Sequence, residues 1–515
     1  MKRAAFHTLG CKVNAYESEA MRELLEKNGY TTVPFGEPAD VIVINTCSVT
    51  NIADRKSRQM LHRARKSCPD AVVVAAGCYV QESPEKAAED AAVDLVIGND
   101  RKTELPGLLA QWFAEHPERE GRLQERAGCR ASGSETDENA GTEKNAHLAG
   151  ESQSKPVVGP NSKKCDAAGQ GKPRPAAEIA AGADQKTFEE MQVDAAADRT
   201  RAFLKIQDGC NQFCSYCIIP YVRGRVRSRR PEEIAAEACR LAEGGIQEIV
   251  LTGIHLSSYG SDFVSDGLKG RISTGTAAAA GTAGGWWDGT RMLDLLHRLS
   301  EIEGIRRIRL GSLEPRLITR AFASELASIP KICPHFHLSL QSGSRTVLAR
   351  MNRKYTPEEY LENCGILREA FSNPAITTDV IVGFPGETEE EFQETVEFVQ
   401  RAQFYEMHVF RYSRREGTRA DRMDGQIPEP VKEARSEILL GLARQMSADY
   451  RAQFVGKKLT VLTEQIETVD HRPFMTGHSA EYILCALPPQ TPENRLLEVT
   501  GRELSADGSV LLCDC

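Results

Sequence analysis

The chain has 515 residues, of which 41% are hydrophobic, and its formal net charge is −9. This length allows about three domains of roughly 100–200 residues each, and the composition suits a soluble protein that buries several cores. No apolar run approaches the ~20 residues of a transmembrane helix, and the N-terminus lacks a signal-peptide apolar stretch. We therefore expect a cytoplasmic protein with no membrane partner. Its fifteen cysteines should stay reduced, and those that cluster are candidate metal ligands.

Residues 1–112 contain short apolar runs separated by helical stretches. The runs AAFHTL, DVIVIN, AVVVAA and VDLVIG are candidate strands, and YESEAMRELLEKNG is a candidate helix. This alternation predicts a parallel sheet flanked by helices. Cys11, Cys47 and Cys78 each follow one of these strands, at the edge where the carboxyl ends of a parallel sheet meet. We expect them to converge and to hold an iron–sulfur cluster, although buried cysteines are also common at strand ends.

The composition changes between residues 113 and 199. Only seven Ile, Leu, Val or Phe residues occur among the 81 residues from Glu118 to Asp198. Such a segment cannot offset the entropy cost of ordering it, so we expect a disordered insert in which Cys129 and Cys165 have no role. A second low-complexity stretch, residues 261–289, has the character of a tolerated surface insertion.

The alternation of strands and helices resumes over residues 200–445. Six candidate strands, RAFLKIQ, QEIVLTG, RRIRLGS, HFHLSL, ITTDVIVG and YEMHVFRY, alternate with helical segments, which predicts a partial (β/α)6 barrel. A helix over about 429–453 leads into residues 446–515, where short β-runs and turn residues predict a small antiparallel β-barrel. The predicted fold class is therefore α/β with a C-terminal all-β domain.

Three cysteines lie on the loop after the first barrel strand, with the spacing C-x3-C-x2-C. They are Cys210, Cys214 and Cys217. Structural zinc sites use four ligands and ferredoxin-type runs carry four cysteines, but no fourth ligand is nearby here. Three thiolates can bind three irons of a [4Fe–4S] cluster and leave the fourth iron open. The carboxyl end of a barrel strand is also where such folds place active sites. A chance grouping of buried cysteines is the alternative.

This cysteine loop resembles that of the radical S-adenosylmethionine (SAM) enzymes. In that family SAM chelates the open iron, and electron transfer from the cluster cleaves SAM to a 5′-deoxyadenosyl radical. The resemblance implies that Cys210, Cys214 and Cys217 are the catalytic cluster ligands. It also implies that residues at or near the strand ends contact SAM, namely Tyr216, Thr252, Gly253, Ser312, Glu314, Gln341 and Gly383.

The whole layout resembles the methylthiotransferases, which combine a three-cysteine N-terminal domain, a radical SAM barrel and a terminal TRAM-like RNA-binding barrel. The resemblance implies a second [4Fe–4S] cluster on Cys11, Cys47 and Cys78. The motifs TLGCKVNAYES, FCSYCIIPYVRGRVRSR and LTGIHLSSYG are most similar to one branch. That branch adds a methylthio group at C2 of N6-threonylcarbamoyladenosine at position 37 of tRNA. One SAM methylates a sulfur attached to the second cluster, and another SAM supplies the radical.

Arginines alternate along the segment that follows the cysteine loop. They are Arg223, Arg225, Arg227 and Arg229. If this segment is extended, their side chains share one face and could hold phosphates of the tRNA anticodon loop. Salt bridging within the barrel is the alternative.

The resemblance implies two further partners, a reductant protein such as flavodoxin or ferredoxin and a sulfur donor. Two other functions stay open. One is a methylthiotransferase that acts on isopentenyladenosine in tRNA or on a ribosomal-protein aspartate, and the other is a non-catalytic zinc- and RNA-binding protein.

Overall fold

A parallel sheet forms the N-terminal part of the computed structural model, which describes residues 1–123, 187–194, 200–263 and 289–514. Its strand order is β2-β1-β3-β4-β5, and every neighbouring pair is parallel. The strands are β1 (Lys2–Thr8), β2 (Tyr30–Val33), β3 (Val41–Thr46), β4 (Val72–Gly77) and β5 (Leu95–Ile97). The predicted parallel sheet is confirmed. The apolar pattern does not reveal β2, because this edge strand is half exposed and contains two threonines.

Helices cover both faces of this sheet. They are α1 (Lys12–Lys27), α2 (Asn51–Ser67), α3 (Cys78–Glu82), α4 (Pro84–Glu89), α5 (Leu105–Glu115) and α6 (117–123). The central strands β3 and β4 are buried at every position. They are therefore apolar almost throughout, as expected of parallel strands packed between two helical layers.

The next part of the chain is a partial (β/α)6 barrel, as predicted. Its strands are β6 (Arg201–Lys205), β9 (Glu248–Thr252), β10 (Arg307–Leu310), β11 (Ser312–Leu313), β12 (His335–Leu338), β13 (Ala375–Val382) and β14 (Glu406–Arg411). They form two parallel sheets in the orders β10-β9-β6 and β11-β12-β13-β14. Because only Gly311 separates β10 from β11, the two sheets continue into each other. The described strands leave the barrel open between β6 and β14.

Outer helices pack on this barrel, and a short antiparallel pair lies at its mouth. The pair is β7 (Gln207–Asp208) with β8 (Arg227–Ser228). The helices are α7 (Ile219–Val222), α8 (Pro231–Glu243), α9 (Thr290–Ser300), α10 (Arg320–Ser328), α11 (Arg345–Arg350), α12 (Pro357–Ala370) and α13 (Glu389–Ala402). Within the described ranges, no helix combines the length and apolar character needed to cross a membrane.

The C-terminal part is a closed five-stranded barrel that follows α14 (Glu429–Ala452). Its strands are β15 (Lys458–Val469), β16 (Arg472–Ser479), β17 (Leu484–Leu487), β18 (Leu496–Leu504) and β19 (Leu511–Asp514). The predicted barrel is confirmed, but it is not wholly antiparallel, since β17 and β19 pair in parallel. Closure of the order β15-β16-β17-β19-β18 brings these two strands side by side.

The C-terminal barrel packs against the amino-terminal ends of the (β/α)6 strands. The Arg309 guanidinium donates to the backbone carbonyls of Ser479, at 3.2 Å, and Ala480, at 2.9 Å. It also pairs with Glu248 at 2.8 Å, and both side chains are buried. This ion pair therefore holds the turn after β16 against the barrel.

Part of the predicted disordered insert is ordered. Residues 113–123 are largely helical, with Phe113 buried. Residues 187–194 pack against α1, where the Tyr16 hydroxyl donates to the Met191 carbonyl at 2.6 Å. The prediction of disorder is wrong for these two ranges, because their few apolar residues meet cores formed by distant segments. Outside the described residues lie 124–186, with Cys129 and Cys165, together with 195–199 and the greater part of the second insertion, 264–288. The limits of the predicted domains stay predictions.

Replacing Glu248 with Gln should destabilise the protein. Burial alone would raise the pKa of Glu248, but Arg309 brings it down to about 2. Removing one partner of a buried ion pair costs about 3–5 kcal/mol. Because the folded-state pKa is depressed, this contribution is present above the unfolded value of about 4.3 and is lost as the pH falls towards 2. The difference in melting temperature between wild type and Glu248→Gln should therefore be largest at neutral pH and smaller at acidic pH.

The exposed Glu437 on α14 provides the control, as Glu437→Gln. Equal melting temperatures for Glu248→Gln and wild type at neutral pH would contradict the assigned role of this pair.

Candidate active site

The three N-terminal cysteines meet at one edge of the first sheet. Cys11 follows β1 and precedes α1, Cys47 follows β3, and Cys78 is the first residue of α3 after β4. These strands are neighbours in the sheet. A Cβ atom placed on Gly10 would lie only 2.8 Å from Cys47 Sγ, and the pKa of Cys47 responds to both other thiols. We call Cys11, Cys47 and Cys78 the sheet triad.

The second set of cysteines, Cys210, Cys214 and Cys217, lies between β7 and α7 and is here named the loop triad. A tight turn sets its start, since Gly209 has φ +71° and a Cβ atom there would lie 1.8 Å from the Arg225 carbonyl oxygen. The backbone N–H of Cys210 donates to the Gly224 carbonyl at 3.0 Å. The loop is thus fixed by the segment that follows it.

Each triad has one buried arginine that donates to a sulfur atom. Arg223 Nε lies 3.3 Å from Cys78 Sγ, and Arg353 Nη1 lies 3.3 Å from Cys214 Sγ. Burial raises the pKa of Cys47 and of Cys210 to about 12. These thiols therefore stay protonated at neutral pH unless a metal centre replaces the proton.

Each triad offers three cysteine thiols of the kind that hold a [4Fe–4S] cluster. Over the described ranges, no three His, Cys, Asp or Glu side chains converge on one ion position. Each cysteine of a [4Fe–4S] cluster binds a different iron, so its sulfurs need not converge in that way. Three cysteine thiolates would make such a cluster anionic. An arginine that donates a hydrogen bond to one of the sulfurs suits this charge, because hydrogen bonds to the sulfurs help to set the reduction potential of a cluster.

Arg223 also belongs to a buried ion cluster between the first sheet and the (β/α)6 barrel. Its Nη1 lies 2.8 Å from Glu17 Oε1 and 3.1 Å from Asp208 Oδ2. Glu17 also accepts from Lys102 at 2.7 Å and from Lys205 at 2.8 Å. Burial alone would raise the pKa of Glu17, but these three cations hold it well below its usual range. Asp208 lies two residues before Cys210, so the cluster connects the two triads.

Arg415, which is also buried, attaches the N-terminal part of the chain to the (β/α)6 barrel at a second place. It follows β14, the barrel edge strand on the opposite side of the opening from β6. It donates to the Ser48 hydroxyl at 2.8 Å, lies 2.5 Å from an Asp54 carboxylate oxygen, and pairs with Glu82. Ser48 directly follows Cys47. The sheet domain is thus attached near both β6 and β14, across the open side of the barrel.

The prediction of one exposed arginine face is wrong. Arg223, Arg227 and Arg229 are buried, with exposures of 0%, 6% and 0%. Arg229 pairs with Glu237 at 2.6 Å. The segment is not one extended strand, because Arg223 follows a helix and only Arg227 lies in β8. The alternative of salt bridging therefore holds for these three, and Arg225 alone of the four is exposed.

The structure places the predicted SAM-contacting residues on or just beyond the carboxyl ends of strands, or on the cysteine loop. Glu314 is buried and pairs with Arg353 at 3.0 Å, which links it to Cys214. Tyr216 packs against Phe384. The remaining positions are Thr252 (buried, end of β9), Gly253, Ser312 (exposed, in β11), Gln341 (buried, φ +71°) and Gly383, which follows β13. Their contacts with SAM stay predictions.

Lys12 directly follows Cys11 of the sheet triad, and sequence reasoning did not single it out. Its side chain is solvent-exposed. Arg353 and Arg415 were also missed. They lie far from the cysteines in sequence, and no local pattern marks them as residues of the site.

Two family models match the chain. Residues 3–98 match uncharacterized protein family UPF0004, and residues 204–399 match the Radical SAM superfamily. The two matches define a radical SAM enzyme with an additional N-terminal domain.

Relatives that match most of the chain show which kind of radical SAM enzyme this is. The chain is 38% identical to threonylcarbamoyladenosine tRNA methylthiotransferase MtaB of Bacillus subtilis (strain 168) over 485 residues, 94% of this chain and 90% of that protein. It is 34% identical to tRNA-2-methylthio-N(6)-dimethylallyladenosine synthase of Moorella thermoacetica over 463 residues, 89% of this chain and 86% of that protein. The chain belongs to the tRNA methylthiotransferase family of radical SAM enzymes.

Membership of this family confirms the predicted enzyme class and its cofactors, SAM and [4Fe–4S] clusters. Among solved structures, the radical SAM methyltransferase TsrM from Kitasatospora setae matches with a TM-score of 0.48 and 13% identity, over 80% of this chain and 73% of that one. At this score and identity the likeness carries no functional information.

Replacing Arg223 with Met should weaken iron binding at the sheet triad. The change removes the donor to Cys78 and leaves Glu17 with fewer cations in a buried site, which costs about 3–5 kcal/mol. We expect iron per chain, about eight for two [4Fe–4S] clusters, to fall towards half, together with a lower melting temperature. Arg225→Met, in the same segment but exposed, should match wild type in both measurements. Full iron content and unchanged melting in Arg223→Met would refute the role of this arginine.

Proposed function

We propose that this enzyme adds a methylthio group at C2 of N6-threonylcarbamoyladenosine at position 37 of tRNA. The observation that carries the proposal is the 38% identity, over 94% of the chain, to a relative named for threonylcarbamoyladenosine. The relative named for dimethylallyladenosine is 34% identical over 89% of the chain. That smaller similarity makes dimethylallyladenosine tRNA the second candidate substrate.

In this proposal the loop triad holds the cluster that binds SAM, and the sheet triad holds the second cluster. C2 of adenine carries an unactivated C–H bond, which acid–base chemistry cannot replace with a C–S bond. The clusters and SAM supply the radical and sulfur chemistry when bound. The protein's task is to hold the target base between the two triads.

Several side chains of the site serve this positioning. Arg353 joins Cys214 to Glu314, so it fixes the loop triad relative to a predicted SAM contact. Arg223 and Arg415 attach the sheet triad to the barrel from two sides. Such fixed geometry is what brings reacting groups together at low entropic cost.

We infer that the tRNA contacts a surface patch beside the loop triad, formed by the exposed Tyr221 and Arg225 and the half-buried Phe213. The Arg225 guanidinium lies 4.6 Å from the Phe213 ring centroid, and Tyr221, which is 50% exposed, packs edge-on against the same ring. Aromatic rings beside a cation suit unstacked bases and phosphates. The target base must leave its loop to reach the site. In this proposal the C-terminal barrel also binds RNA, and a flavodoxin- or ferredoxin-like reductant and a sulfur donor are the further partners.

The test of substrate and reaction is mass spectrometry of nucleosides. The purified, cluster-reconstituted protein, SAM and a reductant are incubated anaerobically with tRNA that carries either threonylcarbamoyladenosine or dimethylallyladenosine. We expect the 2-methylthio derivative of the first nucleoside only. Cys210→Ala should abolish SAM cleavage, whereas Cys47→Ala should retain cleavage and form no methylthiolated product.

The opposite outcomes are equally informative. Product from dimethylallyladenosine alone would move the second candidate substrate to first place. Methylthiolated product from Cys47→Ala would refute the assignment of the sheet triad.

Replacing Arg225 with Ala should weaken tRNA binding without changing iron content. Loss of one phosphate contact should lower the slope of log affinity against log salt by about 1. Fluorescence anisotropy over a salt series measures both effects. Arg320→Ala, an exposed arginine on the outer helix α10, is the control, and an equal loss of affinity in the two variants would contradict the proposed patch.

A further inference from the structure

The exposed side of helix α2 carries positive charge only. At 3.6 residues per turn its exposed lysines and arginines lie within an arc of about 160°, opposite the buried Leu61 and Ala64. This side of the helix contains no Asp or Glu. We call it the α2 basic face, and its cations are Arg55, Lys56, Arg58, Arg63 and Lys66.

The cations of the α2 basic face have no protein partners. Asp54, the one acidic residue of α2, pairs with Arg415 of the barrel. Asp94, which follows the helix in sequence, pairs with Arg65. Within the part of the chain that the structure describes, the side chains of the five cations form no hydrogen bond or ion pair. Their positive charge is therefore left for something outside the chain.

A helix face that is merely solvated usually carries both signs of charge. Helix α14 does so, with Glu437 and Arg444 both exposed. On α2, by contrast, Arg55 precedes Arg58 and Arg63 precedes Lys66 by three residues, and like charges at this spacing destabilise a helix. The net charge of the whole chain is −9, so a general excess of basic residues does not explain the strip. An anionic partner would relieve the repulsion.

The α2 basic face starts beside the candidate active site. The backbone N–H of Asn51, the first residue of α2, donates to the Ser413 hydroxyl at 3.1 Å, and the Asn51 side chain accepts from Arg415 at 3.0 Å. The exposed Val49 and Ile52 lie at the same end, close after Cys47. Because α2 returns from the carboxyl end of β3 towards the amino end of β4, its basic face leads away from the sheet triad.

We propose that the α2 basic face binds the sugar–phosphate backbone of the tRNA anticodon stem while the target base enters at the amino-terminal end of the helix. This inference rests on the proposed function, from which it takes the anticodon arm as the substrate. Position 37 lies in the anticodon loop, so a base inserted between the triads requires the stem to extend away from them. The α2 basic face follows that direction.

The shape of the face suits an RNA stem better than an acidic protein. The cations form a narrow strip that extends about 16 Å from Arg55 to Lys66 along one helix. A nucleic-acid double helix carries several phosphates over that length. Contacts of this kind position an RNA without reading its sequence.

The test is binding of an anticodon stem-loop to the reconstituted full-length enzyme, measured by fluorescence anisotropy over a salt series. The neutralised variant is Lys56→Gln with Arg63→Gln and Lys66→Gln. Loss of three phosphate contacts should lower the slope of log affinity against log salt by about 2 to 3 and raise Kd by roughly 10- to 100-fold at low salt. Lys66→Gln alone, at the end of α2 remote from the triads, should lower the slope by about 1.

Two controls separate this effect from a general change of charge. A charge-preserving variant, Lys56→Arg with Arg63→Lys and Lys66→Arg, should bind as wild type because phosphates respond to the charge. A matched variant removes the same charge from exposed positions on the outer helices α10, α13 and α14 and should also bind as wild type. It is Arg320→Gln with Arg401→Gln and Arg444→Gln.

A stem-loop with a shortened stem identifies the part of the RNA that the face contacts. Shortening should weaken binding to the wild type but should weaken binding to the neutralised variant little, because that variant has already lost the same contacts. Equal losses in the two proteins would overturn the proposal. Equal Kd and salt slope in the neutralised and matched variants would overturn it as well.

Iron content, melting temperature and SAM cleavage without RNA should equal wild type in the neutralised variant. If only cleavage driven by a flavodoxin-like protein falls while RNA binding is unchanged, the face belongs to the reductant and the proposal is overturned. Failure of the proposed function has a different signature. RNA binding that depends on the α2 basic face, without methylthiolated product from either nucleoside, would refute that function and keep the docking surface.

Discussion

The buried ion pair between Arg223 and Glu17 is the interaction on which the arrangement of the site depends. Glu17 lies in α1 of the sheet domain, and its cationic partners come from several segments, including two in the (β/α)6 barrel region. A buried carboxylate without these partners would cost several kcal/mol. Within the sheet domain Glu17 pairs with Lys102, and the observed position against the barrel adds Lys205 and Arg223. The same docking brings the sheet triad to the same side as the loop triad.

Arg223, which joins the two domains, also contacts a cysteine of the sheet triad. At the loop triad, too, one arginine contacts both a carboxylate and a cysteine. Arg223 reaches both Glu17 and Cys78, and Arg353 reaches both Glu314 and Cys214. A planar guanidinium with several donors suits such a double contact, whereas a lysine ammonium is a compact point charge. The positive charge beside each triad also offsets the negative charge of thiolates, which burial alone would disfavour.

The segment after the loop triad shows why a pattern of charges is a weak guide to a surface. An alternating run of arginines predicts one solvated face, yet three of the four are buried against carboxylates from other elements. The residues at 187–194 show the converse, since a composition typical of disorder conceals Met191 and Val193, which are buried against distant segments. In both cases the deciding partners are remote in sequence.

Local sequence was sufficient for most of the strands, although not for β2, and for the grouping of the cysteines into two sets of three. Strand formation, turn chemistry and the spacing of ligands on one loop depend on residues close together in the chain, and parallel strands necessarily align their carboxyl ends. Tertiary structure alone decided the remainder. It placed Arg353 and Arg415 beside the two triads and buried Arg223. These outcomes depend on desolvation and on charges brought together from distant segments, which only the packed structure defines.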